Sequence, residues 1–338
     1  MPICQYVLGS LLALLPYKVI VLLFQKALNI HNFLLPTRFY FSGRVALYRM
    51  ALACKKENTI ALLPDYICNV VHKAFQEAGV HICSYPTDKY FEPSIQAIQQ
   101  HAKDQVSLIL CLAPIMGAEG GLSWAFSPEG KNWRTQNNVT LFIDLSQGIS
   151  RLKQLSHADL DQQIVLMASF NNKAFPSVMG AVVISNLDDP LLSAATDFEQ
   201  LGIVKQLVKR IIKPIFSIGN KPADSYLVEQ DYPSTFEYSY CQQFPYTFAH
   251  SGATKLQIAV ATAGLWFSKY YQWCKQRYLQ KGLITPQPTP FYLSAPYILA
   301  KSATAQLKKK APYASHDRPN YSERPNTPSY HFKGFDDQ

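Results

Sequence analysis

The chain has 338 residues, 48% of them hydrophobic and 16% charged, which is enough for one large domain with a substantial core and a smaller second domain. The formal net charge of +9 is spread along the chain, with small basic groups at 205–213 and 308–310 that suit solvated helix faces, so we expect no nucleic-acid partner. Seven cysteines, an odd number without CxxC or Cys/His ligand spacing, argue against a disulfide framework and a metal site and favour reduced thiols in a cytoplasmic protein.

Residues 1–37 form an apolar segment with a helical pattern. Between Tyr6 and Phe24 the apolar run is interrupted only by Ser10, Pro16 and Lys18, and a run of that length is a candidate membrane span. No basic residue precedes it, as one would in a signal peptide, and the proline and the lysine lie near its middle, where a charge is costly in a bilayer. We therefore expect a helix packed on the protein or on a partner subunit, with membrane contact as the alternative.

From residue 38 to 247 short apolar runs alternate with segments of helical periodicity. The pattern predicts strands at 59–63, 80–85, 106–112, 139–143, 164–168 and 181–184, and helices at 44–56, 65–78 and 93–103. The glycine-rich stretch 116–130 and the segment 214–247 are predicted to be irregular. Such alternation is typical of an α/β domain with a mostly parallel central sheet flanked by helices.

Residues 248–310 are predicted to form a smaller C-terminal α+β domain. It begins with a long helix over 251–279, followed by a proline-dense linker, a strand at 291–293 and a helix at 300–310. The remaining residues, 311–338, are polar and contain prolines, and we expect them to be disordered.

Two polar residues follow consecutive buried strands in the predicted sheet. Asp144 comes directly after the strand 139–143, and Lys173 lies shortly past the end of the next strand. A pyridoxal phosphate (PLP) enzyme needs this pair, because the lysine forms a Schiff base with the cofactor and the aspartate keeps the pyridine nitrogen protonated. Taken singly, Asp144 also suits a helix N-cap and Lys173 a surface lysine.

Two further segments have the character of ligand-binding turns. Ser42, Gly43 and Arg44 begin the first strong helix, where a serine cap and exposed backbone N–H groups can hold a phosphate. The turn at 64–68 directly follows a buried strand, and ligands of α/β sheets bind at the carboxyl ends of strands. By themselves, both segments also suit an ordinary helix start and an ordinary strand-to-helix turn.

As an ordered set, these motifs resemble the DegT/DnrJ/EryC1/StrS family of PLP-dependent sugar aminotransferases, a branch of fold type I. The likeness spans roughly residues 38–310. The family's helix start Ser-Gly-Thr or Ser-Gly-Arg corresponds to residues 42–44, and its Pro-Ala-Tyr-Thr-Cys turn to residues 64–68. Its Asp-x-x-Gln-like segment corresponds to residues 144–147, and its lysine context Ser-Phe-x-Lys-x-x-Pro to residues 169–176.

The resemblance implies a homodimeric PLP enzyme of fold type I that transfers an amino group from an amino acid to a keto sugar nucleotide. It implies that Lys173 carries the Schiff base and the migrating proton, and that Asp144 pairs with the pyridine nitrogen. The residues that it implies for the cofactor site are Ser42, Gly43, Arg44, Tyr66, Cys68, Asp144, Gln147, Ser169 and Lys173.

Some positions depart from the family's pattern. Ile143 stands where a glutamate is usual, Met179 replaces the first of two glycines, and residues 114–117 replace a His-x-x-Gly loop. The alternative is therefore a non-catalytic protein of the same fold that acts as an assembly or regulatory module. The presence of both Asp144 and Lys173 argues against it, and the lysine also disfavours the family's sugar dehydratases, which carry histidine there.

Overall fold

The computed structural model describes residues 2–208 and 251–267, apart from short gaps, and three short strands further along the chain. The gaps are at 66, 68, 89–90, 103–106, 115–118, 147–148, 150–151, 153–154, 156–159, 171–176 and 198–199.

A seven-stranded sheet with the order β1-β7-β6-β5-β4-β2-β3 organises the described part of the chain. Its strands are β1 (Thr37–Tyr40), β2 (Thr59–Pro64), β3 (His81–Tyr85), β4 (Ser107–Leu112), β5 (Val139–Asp144), β6 (Ile164–Ser169) and β7 (Ala181–Ser185). Strands β3, β2, β4, β5 and β6 are parallel, whereas β7 runs antiparallel to both β6 and β1. The predicted mostly parallel α/β sheet is confirmed, with β1 as an additional edge strand.

Helices cover both faces of this sheet. They are α1 (Pro2–Leu12), α2 (Tyr17–Leu28), α3 (Gly43–Cys54), α4 (Asn69–Glu77), α5 (Ile95–Ala102), α6 (Leu122–Phe126), α7 (Pro128–Gln136) and α8 (Lys255–Trp266). One face packs against α3 and α4, and the other packs against α2, α5 and α8. The buried runs of β4, β5 and β6 form the middle of both cores, as expected of parallel strands covered on both sides.

The prediction that 116–130 is irregular was wrong, because α6 and the start of α7 lie within it. The turn before α6 is made by Gly120 and Gly121, both with positive φ, a conformation that glycine adopts without strain. Helix α7 begins at Pro128 and is capped by Ser127, whose Oγ accepts a hydrogen bond of 3.1 Å from the N–H of Gly130. The two glycines thus mark the turn that precedes a helix.

The N-terminal segment consists of two helices rather than one. The chain turns at 13–16, immediately before α2, and both helices pack on α8. The buried Gln5 of α1 donates from Nε2 to the backbone oxygen of Val260 at 3.4 Å, and the ring of Phe24 on α2 lies 5.2 Å from that of Phe39. Within the described residues, no helix has both the length and the apolar character needed to cross a bilayer.

The described C-terminal elements are α8 and a small antiparallel sheet. Thr254 and Gln257 form a reciprocal capping box that begins α8, inside the segment predicted to be a helix over 251–279. Beyond it, β8 (Ile284–Thr285), β9 (Tyr297–Leu299) and β10 (Phe332–Lys333) form a three-stranded sheet, and β10 belongs to the tail predicted to be disordered. The predicted strand at 291–293, the helix at 300–310 and the segment 214–247 lie outside the described residues.

Candidate active site

The carboxyl ends of β5 and β6 bring two of the predicted site residues together. Asp144 is the last residue of β5 and Ser169 the last of β6, and the two strands are parallel neighbours in which Asp144 pairs with Met167. Because side chains alternate along a strand, Asp144 shares the face of Phe142, and Ser169 shares the face of Met167. That face packs against α3, so both polar side chains lie on the α3 side of the sheet.

The N-terminus of α3 lies against Ser169 of this pair. Ser42 has an extended backbone and caps the helix, its buried Oγ accepting a hydrogen bond of 3.3 Å from the N–H of Val45. Gly43 and the half-buried Arg44 occupy the first turn, where backbone N–H groups have no carbonyl partner within the helix. The positive end of the helix dipole adds to these donors, so the turn suits an anion.

Gly43 lies directly against Ser169. A Cβ atom at position 43 would lie 2.9 Å from both the Cβ and the Oγ of Ser169, closer than van der Waals contact allows. Only glycine leaves room there, and the serine hydroxyl therefore lies beside the helix N-terminus. A hydroxyl, a helix end and a close backbone approach at one point are the elements of a phosphate cradle.

Asp144 and Ser169 are also connected through Ser146. The Oδ1 of Asp144 accepts a hydrogen bond of 2.9 Å from the N–H of Ser146, and the Oγ of Ser146 accepts one of 3.1 Å from the N–H of Ser169. On the neighbouring strand β4, burial raises the pKa of the Cys111 thiol well above its ordinary value, and the negative charge of Asp144 raises it further. The half-buried carboxylate is thus held in place by its own loop and borders a neutral thiol.

Asp65, at the carboxyl end of β2, ties the turn 64–68 to the next loop. Its Oδ1 accepts hydrogen bonds from the N–H of Thr87 at 3.1 Å and from the Oγ1 of Thr87 at 2.6 Å, while its own N–H donates to the oxygen of Tyr85. The sequence marked this turn as a ligand-binding candidate. In the structure, this side-chain oxygen of Asp65 joins two loops at the edge of the sheet.

Glu92 is a residue of this edge that the sequence did not reveal. Its Oε1 accepts hydrogen bonds from the N–H groups of Glu119 at 2.8 Å and Gly120 at 3.3 Å, and its Oε2 accepts one from Gly121 at 3.0 Å. Three backbone donors on one carboxylate hold the loop that follows β4. The sequence predicted only an irregular, glycine-rich segment here, and nothing in the spacing identified a partner 27 to 29 residues away.

Arg49 fixes α3 to the rest of the domain, and it too was missed. This buried arginine pairs with the buried Asp189, donating from Nε at 3.1 Å and also from its terminal nitrogen. The hydroxyl of Tyr40, at the end of β1, donates to the same carboxylate at 2.9 Å. One buried carboxylate therefore binds both the end of β1 and the middle of α3.

The structure thus brings together Ser42, Gly43, Asp144 and Ser169, with Arg44 on the first turn of α3. The remaining predicted site residues, Tyr66, Cys68, Gln147 and Lys173, lie outside the described residues.

No protein-family model matches the chain, and a search of curated proteins finds no match. Among solved structures the chain is similar to NtdA from Bacillus subtilis with bound cofactor PMP, with a TM-score of 0.50, 14% identity, and coverage of 87% of this chain and 61% of that one. This is the fold of type I PLP-dependent enzymes.

Two other similar structures have lower TM-scores. The serine palmitoyltransferase of Sphingomonas wittichii has a TM-score of 0.47 at 12% identity, covering 86% of this chain and 62% of that one. Substrate-bound BacF from Bacillus subtilis has a TM-score of 0.46 at 13% identity, covering 79% of this chain and 58% of that one. The chain therefore spans about three fifths of the length of these proteins.

Proposed function

We propose that the chain binds PLP and is an aminotransferase of the DegT/DnrJ/EryC1/StrS kind. The observation that carries the proposal is the position of Asp144 and Ser169 on the sheet face that packs against α3, with Gly43 pressed against Ser169. A cradle for an anion and a half-buried carboxylate on one face suit a ligand that has a phosphate at one end and a protonated ring nitrogen at the other. The NtdA structure of the same fold, which holds PMP, supports this choice of cofactor.

In this proposal, the phosphate binds at the first turn of α3. The N–H groups of Gly43 and Arg44 and the hydroxyl of Ser169 donate hydrogen bonds to its oxygens, and the guanidinium of Arg44 adds a positive charge. Ser42 contributes by fixing the start of α3 at this point, because its side chain accepts a hydrogen bond from the N–H of Val45.

Asp144 keeps the proton on the pyridine nitrogen. The N–H of Ser146 donates a hydrogen bond to its Oδ1, so the carboxylate is already oriented before the cofactor binds. Binding therefore costs the side chain little conformational entropy. When bound, the cofactor supplies an electron sink for the substrate's α-carbon. Lys173 would hold the cofactor through Nζ and, when released from it, would move the substrate's proton on the same atom.

The proposed substrates are those that the family resemblance implies. We propose an amino acid as donor and a keto sugar nucleotide as acceptor, in a cytoplasmic homodimer, with Gln147 and either Tyr66 or Cys68 completing the cofactor site. The alternative, a non-catalytic module of the same fold, becomes the conclusion if the chain does not bind PLP.

The test is the visible absorbance of the purified chain with PLP, before and after borohydride reduction. Wild type should show an absorbance band that borohydride abolishes, and peptide mass spectrometry should then find the cofactor on Lys173. Lys173→Ala should lack the covalent adduct, whereas Lys205→Ala, an exposed lysine on the helical segment 200–208, should keep it. A wild-type chain that binds no PLP, or an adduct that survives Lys173→Ala, would refute the proposal.

A second measurement tests amino transfer itself. Adding single amino acids without an acceptor should convert the PLP form into the amine form when the donor is correct, with release of the matching keto acid. Keto acid formation by wild type but not by Asp144→Ala supports transamination. Cofactor binding without keto acid from any amino acid tested would contradict it.

A further inference from the structure

The first 34 residues, which contain α1 and α2, expose an unusual share of the large apolar side chains among the described residues. Twelve such side chains are exposed among the described residues, and seven of them lie in the first 34 residues. These seven are Val7, Leu11, Leu14, Tyr17, Val19, Leu22 and Leu34. Single exposed apolar residues are ordinary, but a concentration of this kind marks a surface that is covered in use.

These side chains are not the ones that attach the helices to the protein. On α1, the buried side of the helix holds Gln5 and Tyr6, whereas Val7 and Leu11 lie four residues apart on the opposite side, and the exposed Leu14 follows in the turn after the helix. An apolar stripe on a helix normally faces the core, so a second stripe on the other side requires a second apolar partner.

Helix α2 has the same two-sided character. Its buried side holds Ile20, Phe24 and Leu28, and its exposed side holds Leu22 between Lys18 and Lys26. We call the exposed sides of α1 and α2, together with the turn between them, the outward face; it consists of Val7, Leu11, Leu14, Val19, Leu22 and the two lysines.

The charge of this segment identifies the partner. No aspartate or glutamate occurs before Glu57, so the charged residues of the outward face are all lysines. A second copy related by twofold symmetry would bring the same face to itself, and its lysines would meet lysines with no carboxylate of the segment to pair with them. A bilayer with anionic headgroups offers both apolar depth for the leucines and negative charge for Lys18 and Lys26.

We propose that the outward face docks on the surface of an anionic lipid bilayer. The protein would be peripheral: α2, with 12 residues, is about 18 Å long and would lie in the interface with its inner side still on α8. Docking of this kind depends on neither the cofactor nor the substrate, so it is independent of the proposed function.

Vesicle flotation of the full chain tests the proposal, with vesicles of phosphatidylcholine alone or mixed with phosphatidylglycerol. Wild type should float with the mixed vesicles and much less with the neutral ones, and raising the salt from about 0.1 M to about 1 M should release it. Lys18→Gln with Lys26→Gln should weaken binding about five-fold per lysine.

The apolar contribution is tested by Leu11→Gln combined with Leu22→Gln, which leaves the charge unchanged and should abolish flotation. Leu191→Gln is the matched control, because Leu191 is 58% exposed and Leu11 is 59% exposed. This control should float like wild type. Circular dichroism confirms that each variant is folded, and the salt dependence of wild type tests the proposal even if the double leucine variant does not fold.

Three results would overturn the proposal. The first is a folded wild type that binds neither kind of vesicle, and the second is binding to mixed vesicles that does not respond to salt. The third is a wild-type oligomer, seen by sedimentation equilibrium, that Leu11→Gln with Leu22→Gln converts to monomers without any vesicle binding by wild type. The last result would assign the outward face to contact between copies of the chain.

Discussion

Gly43, at the start of α3, and Ser169, at the end of β6, approach so closely that a Cβ atom on the glycine would lie 2.9 Å from the serine Oγ. The contact joins a helix N-terminus to a strand end that lies 126 positions later in the chain. It sets the width of the proposed phosphate cradle, because the backbone of α3 can come this near only where the side chain is a hydrogen atom.

Gly43→Ala should therefore destabilise the fold and weaken PLP binding. Forcing a methyl group into this contact should lower the free energy of unfolding by about 1–3 kcal/mol, measured by urea denaturation. Ser169→Gly removes both facing atoms, so Gly43→Ala should cost much less in a Ser169→Gly background. If Gly43→Ala is as stable as wild type and retains PLP, the contact does not constrain the site.

Asp189→Ala should be among the most destabilising single substitutions in the chain. It would leave the buried guanidinium of Arg49 without its carboxylate, at a cost of about 3–5 kcal/mol in the free energy of unfolding. Asp188→Ala is the matched control, since that neighbouring side chain is 86% exposed and pairs with Arg38 at 3.6 Å. The control should lose about 1 kcal/mol or less. Equal losses in the two variants would contradict a clamping role for Asp189.

Glu92→Gln should loosen the loop that follows β4. An amide has one oxygen where the carboxylate has two, so its NH₂ group must face a backbone N–H at either Gly121 or Glu119. We expect a loss of about 1–3 kcal/mol and faster hydrogen exchange of the amides of 119–121. The exposed Glu57→Gln is the control for loss of one negative charge. Unchanged exchange at these amides would show that the loop is held by other contacts.

His72 on α4 should make stability fall in mildly acidic solution. Burial lowers its pKa below the ordinary 6.5, so between the two pKa values the unfolded chain binds more protons than the folded one. This contribution to stability is complete above about pH 6.5 and is lost as the pH falls towards the folded pKa. When the pH is lowered from about 7.5 to about 5, the free energy of unfolding should therefore fall less in His72→Asn than in wild type.

The measurement for His72 is urea unfolding at both pH values, with His81→Asn as the control at an exposed histidine. If His72→Asn has the same pH slope as wild type, the prediction is wrong.

The strands of the sheet were largely predictable from the sequence. Parallel strands that are buried on both faces are continuous apolar runs, and for this reason β4, β5 and β6 were predicted. The ends of these runs also placed Asp144 and Ser169 at or next to strand ends. The four-residue edge strand β1 has no such run, and it was missed. Helices α6 and α7 were missed because the glycines before them were interpreted as helix-breaking residues. Ser127 and Pro128 nevertheless form an ordinary helix start.

The sequence by itself determined where most of the buried strands lie, with their ends placed to within about one residue, because that information is local and depends on runs of apolar side chains. Only the tertiary structure decided that Gly43 touches Ser169, that Arg49 pairs with Asp189 and that Glu92 holds the loop at 119–121. The same holds for the N-terminal segment, where the packing of α1 and α2 on α8 separates the buried sides from the outward face. These contacts join residues far apart in the chain, and they depend on strand order and packing, which spacing along the sequence does not encode.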